Sequence, residues 1–202
     1  MNFKNTFPDN SGLSILLIAI LFFCSAYYSK AQTQSKGLYL TADDYAQHKL
    51  SYSEDPSDTN GNKISIHEFI GSNNVTVFTK GKKLSFDKNQ IFGYHDAGGS
   101  DYRFFDGNAY QIVDTAGFFI YSFDRLVQKG RGPRPKRAWY FSKKSNSPLL
   151  PLTFQNLLIP FPDNQKFRYM IEVASVYNVK PEAYDSELNE YKIKELYKRS
   201  LK

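Results

Sequence analysis

Tyr102-Arg103-Phe104-Phe105-Asp106-Gly107-Asn108-Ala109-Tyr110-Gln111-Ile112-Val113 decides the fold class. Two runs of aromatic and β-branched residues flank Asp106-Gly107, a pair that accepts the positive φ angles of a tight hairpin turn. The spacing predicts two antiparallel strands. Reading upstream, Gln90-Ile91-Phe92-Gly93-Tyr94 is a further strand, separated from the hairpin by Gly98-Gly99. Lys83-Leu84-Ser85-Phe86 and Val75-Thr76-Val77-Phe78-Thr79 face each other across Lys80-Gly81, and Lys63-Ile64-Ser65-Ile66 alternates before them. Downstream, Gly117 opens Phe118 to Phe123, and Arg137 to Ser142 closes the series. That is about eight short strands between 63 and about 143 with no helix among them, so the expectation is an antiparallel β meander, closed as a barrel or folded as a sandwich.

The flanks read differently. Residues 38–48 read as a short N-terminal helix, with Thr41 as N-cap and Asp44 reaching back in a capping box. Residues 53–62 are turn formers throughout and read as a loop. After Pro148, Phe167, Met170, Ile171 and Ala174 fall on one helical face. Pro181 suits the first turn of another helix. Tyr184, Leu188 and Tyr191 would line one side of it, with Glu190–Lys194 and Glu195–Arg199 as i, i+4 pairs on the other. This tail, about 153–200, must dock its apolar stripe, and the β unit is the surface on offer. The expected whole is a single α+β domain over 32–202, with no internal repeat.

Residues Met1 to Ala31 read as an export signal: Lys4, then eleven mostly apolar residues from Leu13 to Phe23, then small residues at Ser29 and Ala31. Cleavage before Gln32 would leave 171 of the 202 residues, and Ser25-Ala26 offers an earlier cut. Extended to Tyr28, the apolar run is about sixteen residues, against roughly 20 for a spanning helix, so an uncleaved anchor is the less favoured reading. Cys24 follows Phe23 where a lipidation site wants a small residue. Removing the leader removes the only cysteine, and with it any thiol chemistry or disulfide.

Composition closes off several classes. With 41% hydrophobic, 23% charged and 16% aromatic residues, the chain is neither disordered nor collagenous nor a coiled coil. Loss of Lys4, Lys30 and Asp9 takes 26 basic and 20 acidic residues to 24 and 19, a net charge of +5. That is too modest for a dedicated nucleic-acid binder, and nucleic acid is not an expected partner.

Catalytic motifs are absent. There is no Gly-x-Ser-x-Gly stretch, no phosphate loop and no dinucleotide fingerprint, and Gly98-Gly99-Ser100-Asp101 lacks the following helix a nucleophile elbow needs. His48, His67 and His95 show no zinc spacing, although Asp44 and His48 lie i, i+4 and His95 adjoins Asp96; no metal site and no cofactor are assigned. Asp87, Asp96, Asp101, Asp106 and Asp114 lie near strand ends, where Asp ordinarily serves turns. The alternative reading gives Asp96 and Asp101 to a hydrolase acting on envelope carbohydrate, which requires a carboxyl pair at a set separation. Twelve aromatic residues between Tyr94 and Phe141 read as core on both sheet faces; a stacking platform is the other reading. Carriage of a ligand inside a barrel would need an empty apolar interior.

The leading binding candidate is basic. Lys129, Arg131, Arg134, Lys136 and Arg137 fall in nine residues, spaced by Gly130, Gly132, Pro133 and Pro135. The reading is a flexible loop between two strands that meets an anionic envelope polymer or lipid; a protein partner is the other expectation.

Gly37-Leu38-Tyr39-Leu40-Thr41-Ala42-Asp43-Asp44-Tyr45, Ile91-Phe92-Gly93-Tyr94 and Asp101-Tyr102-Arg103-Phe104-Phe105 with Tyr110 resemble a group of uncharacterised exported proteins of Bacteroidetes-type bacteria. The Ala31-Gln32 junction is similar to their signal ends, and Phe167 to Tyr184-Asp185 with Tyr191-Lys192-Ile193 to their C-terminal helices. The resemblance implies an exported protein, periplasmic or outer-envelope associated. It transfers no activity and no catalytic residue. The expected role is therefore structural or binding, not enzymatic.

Overall fold

The computed structural model describes residues 35–55, 57–58, 60–67, 72–129 and 132–202. The leader read over Met1–Ala31, with Cys24 and both cleavage points, lies outside them. In chain order come β1 (Gly37–Tyr39), α1 (Ala42–Ala46), β2 (Tyr52–Ser53), β3 (Lys63–Ser65), β4 (Asn74–Thr79) and β5 (Lys82–Asp87). Next are β6 (Gly93–His95), β7 (Asp101–Phe105), β8 (Asn108–Asp114), β9 (Phe119–Lys129), β10 (Gly132–Ser142) and β11 (Leu150–Pro151), with no helix between them. The tail holds α2 (Phe154–Leu157), α3 (Gln165–Val176), the short strands β12 (Tyr184–Asp185) and β13 (Glu190–Tyr191), and α4 (Lys192–Ser200).

The Asp106-Gly107 turn forms with φ of 49° and 70°, and sets Phe105 opposite Asn108. From that hairpin the meander extends both ways. The main sheet runs β11-β10-β9-β8-β7-β6-β1-β2, with β2 and β11 as its edges, so it is open rather than a barrel. β3, β4 and β5 form their own three-stranded sheet. The chain leaves that sheet at Asp87, whose carboxylate accepts the Asn89 N–H (2.8 Å) while its carbonyl accepts the Gln90 N–H (2.9 Å). This turn consumes Gln90 and Ile91, so the strand read over 90–94 begins only at Gly93. The architecture is α+β, mostly antiparallel sheet with a few short helices.

Register decides which side chains share a face. On one face Leu38, Tyr94 and Phe104 meet Ile64, Ile66, Val75 and Val77 of the three-stranded sheet. Farther along that face Ile120, Phe141 and Trp139 meet Leu157, Phe161, Phe167, Ile171 and Ile193 of the helical tail. On the opposite face Tyr39, Tyr45 and Phe92 gather under α1, and Tyr110, Tyr121 and Leu149 form a neighbouring cluster. Tyr94, Phe104, Tyr110, Phe118, Tyr121 and Phe141 are all buried. The aromatic run is thus core on both faces.

The N-terminal helix is shorter than read, because Gly37–Tyr39 is a strand pairing β6. Its capping box is present: Asp44 N–H donates to Thr41 Oγ1 (3.0 Å) and Thr41 N–H to Asp44 Oδ2 (3.1 Å). The Phe167, Ile171 and Ala174 stripe is buried on α3, as its spacing predicts.

The helix read from Pro181 through Tyr191 is corrected. Residues 184–191 form a hairpin, and α4 starts only at Lys192. Asp185 accepts the N–H groups of Glu187 (3.0 Å) and Leu188 (3.1 Å), Asn189 takes φ 51°, and Tyr184 packs edge-on against Tyr191 across the strands. Glu190 pairs with Lys198 (2.7 Å) rather than Lys194, whereas Glu195–Arg199 forms at 3.5 Å.

Lys194 instead points inward and is fully buried. Its ammonium donates to the carbonyls of Ala116 (2.9 Å) and Phe118, and lies 3.1 Å from Asp114 Oδ1. It sits 3.9 Å from the Phe118 ring centroid. α4 is therefore stitched to the β8–β9 turn.

Gly93 has no room for a side chain. A Cβ there would fall on the Tyr102 carbonyl oxygen and within 3.0 Å of Arg103 Cα. Neither can swing aside as a side chain would. Gly93→Ala should therefore force β6 from β7 and lower stability by about 1–3 kcal/mol, the range for overpacking a core; a urea midpoint unchanged from wild type would contradict this.

Candidate functional site

β9 and β10 are each 11 residues long and pair from Phe119–Ser142 to Lys129–Gly132. Their neighbours stop short. β8 reaches β9 only between Gln111–Ser122 and Asp114–Ile120, and β11 reaches β10 only at Tyr140 and Phe141. Beyond Phe123 and Ala138 the pair continues as a two-stranded arm, about 20 Å of strand at roughly 3.3 Å per residue.

The basic segment is thus corrected from a loop to a strand. Arg134, Lys136 and Arg137 lie in β10; Arg131 and the side chain of Lys129 lie outside the described residues. The prolines explain why the strand is tolerated. Trp139 turns its carbonyl to the Leu152 N–H, away from β9. The two-residue repeat points the backbone polar groups of 137, 135 and 133 the same way, onto the open edge of β10. Pro133 and Pro135 therefore lack an N–H only where no partner strand needs one.

Alternation then sorts the charges. Lys136 stands opposite Arg125, and Arg134 opposite Val127, on one face of the arm. Arg125, Arg134 and Lys136 are exposed, and among the described residues none has a carboxylate partner. Two like charges directly opposite each other are unfavourable unless an anion joins them. Arg137 projects to the other face, where Nε (2.9 Å) and Nη2 (3.0 Å) donate to the two oxygens of Asp124. Those bonds hold the Asp124 carboxyl below its usual range. Beside them Pro133, Pro135 and Leu126 are exposed. The cluster of five thus divides: two of its members share a face with Arg125, and Arg137 is already neutralised.

Of the five strand-end carboxylates, Asp87, Asp96, Asp101 and Asp114 are occupied by their own neighbours, whereas Asp106 makes no side-chain hydrogen bond among the described residues. Asp96 accepts the Ser100 N–H (2.8 Å) and Asp114 the Ala116 N–H (2.8 Å). Asp101 accepts the Tyr39 hydroxyl (3.1 Å) and lies 2.8 Å from His95 Nδ1, a contact fixed by their pairing across β6 and β7. Asp44 is held by Thr41 and by Ser51 (3.0 Å) rather than turned toward His48, and these bonds lower its pKa. Among the described residues no three His, Cys, Asp or Glu side chains gather where they could hold a metal. No described helix is long and apolar enough to cross a membrane.

A second cation escapes a sequence reading. Arg103 is 7% exposed, inside the aromatic face opposite the three-stranded sheet. Its Nη1 donates to Tyr121 Oη (3.2 Å) and Ser142 Oγ (3.3 Å), and its Nη2 to the Ser147 carbonyl (2.8 Å).

No protein-family model matches this chain, and no curated protein or solved structure matches it. The geometry of these two cationic sites carries the functional argument.

Proposed function

We propose that the chain is a non-enzymatic binding protein of the bacterial cell envelope, exported by its N-terminal leader, that holds an anionic envelope polymer on the basic face of the arm. The observation that carries this reading is the exposed row of Arg125, Lys136 and Arg134, unneutralised among the described residues on a ribbon that projects past its neighbouring strands. Charges two apart along a strand repeat at about 7 Å, a spacing on which a chain of repeated anions can lie. The resemblance of Gly37–Tyr45 and Asp101–Phe105 to exported Bacteroidetes-type proteins supports the compartment. The alternative, a carbohydrate hydrolase using Asp96 and Asp101, has less support because both side chains are engaged by their own neighbours.

The test is retention of the purified protein on an anionic polysaccharide, on peptidoglycan and on anionic vesicles, at low and high salt. At about 1 kcal/mol per cation near an anionic surface, R125A/R134A/K136A should bind polysaccharide roughly 100-fold more weakly at low salt. Binding by the wild type should fade as the screening length shrinks from about 30 Å at 0.01 M to about 3 Å at 1 M salt. R137A, which removes a cation already paired with Asp124, should retain most of the affinity. Equal retention of the triple variant would sink the proposal. Retention by vesicles alone would replace the polymer with a lipid surface.

A further inference from the structure

Beside the arm's sheet, a groove of about 710 Å³ opens between Thr41, Gln90, Phe92, Phe105 and Asn146, with Arg103 in its lining. That volume lies within the range of small-molecule sites, about 300–1,000 Å³. Arg103 is more than nine-tenths buried and carries a positive guanidinium. A buried charge ordinarily has a counter-charge, because desolvation costs several kcal/mol. Here the described residues supply none: the bonds go to two hydroxyls and one carbonyl, and the rings of Phe92, Phe105 and Tyr121 lie 5.8–5.9 Å from the guanidinium. Nε–H receives no acceptor from them, although no buried side-chain nitrogen or oxygen there is left unbonded. Arg103 lines the groove and its Nε–H has no acceptor among the described residues, so Nε–H is the donor an incoming oxyanion would take.

We propose that this groove binds a sugar acid, its carboxylate on Arg103 and its hydroxyls on the rim. The rest of the lining narrows the ligand class. Gln90 and Asn146 are exposed amides, and Ser145 adds a hydroxyl; none of the three makes a side-chain hydrogen bond among the described residues. Such neutral donor–acceptor groups match sugar hydroxyls. Asp106 also stands in the lining and repels a second negative charge while accepting a hydroxyl. One cation, one rim carboxylate, several neutral polar groups and a Phe92–Phe105 wall fit a singly charged, hydroxyl-rich ligand better than a phosphate or a dicarboxylate. The site is separate from the arm and does not depend on it.

The purified protein would be titrated with glucuronate, galacturonate, glucose and acetate, following heat of binding and the Arg103 Nε–H proton signal. Saturable one-to-one binding of a uronate that moves this signal is expected, with glucose and acetate at least ten-fold weaker. Arg103 is a core residue, so the principal variant is Asn146→Asp, an exposed change that leaves the core untouched. A negative charge placed there should weaken uronate binding about ten-fold. Arg103→Lys, which keeps the charge but loses Nε, should also weaken it. The arm variant R125A/R134A/K136A should bind uronate like the wild type. No saturable uronate binding, equal binding of glucose or acetate, or an unmoved Arg103 signal would overturn the proposal.

Discussion

Lys194→Ala should cost about 3–5 kcal/mol of stability, the range for breaking a buried ion pair by removing one partner. The loss has three sources. Asp114 would keep a carboxylate in a site only 20% exposed, without its ammonium. The carbonyls of Ala116 and Phe118 would lose a donor. The four-carbon stem would leave a void against Phe118, itself completely buried. Lys194→Met separates these terms, since it fills the space but restores no donor; it should recover only part of the loss. Arg199→Ala on the same helix, which removes a partner from an exposed pair with Glu195, should change stability by no more than about 1 kcal/mol. Urea unfolding distinguishes the three, and a Lys194→Ala midpoint close to that of Arg199→Ala would show the stitch to be dispensable.

Above pH 10 the protein should lose stability steeply, and below that it should gain. Burial lowers the Lys194 pKa to about 8, from 10.5 in the open chain. Between those values the unfolded chain carries the proton and the folded one does not, so stability rises with pH. Phenols act with the opposite sign. Burial, with Asp101 nearby, raises Tyr39 and takes Tyr45 up to about 12; burial also raises Tyr110, Tyr121 and Tyr191. Once pH passes 10, the unfolded chain ionises phenols that the folded chain keeps protonated. Each costs up to about 1.4 kcal/mol per pH unit. Tyr39 and Tyr45 together would remove up to about 5 kcal/mol within roughly two units, the whole stability of a domain at the low end of the ordinary range of about 5–15 kcal/mol. Stability should therefore peak near pH 10. Ionisation of Tyr39 and Tyr45, followed by their own ring signals, should accompany the loss of near-ultraviolet circular dichroism and not precede it. Ionised Tyr39 or Tyr45 in a still-folded protein at pH 10 would show these two rings to be solvated. In Lys194→Met the rise from pH 8 to 10 should vanish while the alkaline fall persists.

Much of the architecture is local enough to read from the chain. Asp106-Gly107 imposes its turn through two φ angles. Thr41 and Asp44 cap a helix three residues apart. Phe167, Ile171 and Ala174 reveal a buried stripe by spacing alone. The departures come where tertiary pairing outweighs composition. Pro133 and Pro135 discourage a strand only if their nitrogens face a partner, and that depends on which way β10 is turned against β9. Pro181 and the i, i+4 charges favour a helix, but Asp185 and Asn189 build a turn first and Tyr184 pairs with Tyr191 across it. Of the basic cluster, the residue types are legible and the sides are not: Arg125 belongs with Arg134 and Lys136 only after register is known. Arg103 looks like an outward residue of an alternating strand. Nothing local reveals that α1 and the 143–149 segment cover that face.

Lys194 and the Phe118 carbonyl it grips are 76 residues apart in the chain. Synthesis delivers the carbonyl first and the lysine 76 residues later. Until the helical tail emerges, Phe118, Ile120 and Phe141 lack the Leu157, Phe161, Phe167, Ile171 and Ile193 side chains that cover them. Closing so long a loop adds an entropic barrier that no local helix propensity removes. The meander is thus an apolar half-structure for most of its time as a nascent chain, the kind of surface that chaperones cover. This face is closed when α4 docks, by a charged side chain entering a site already lined with its acceptors.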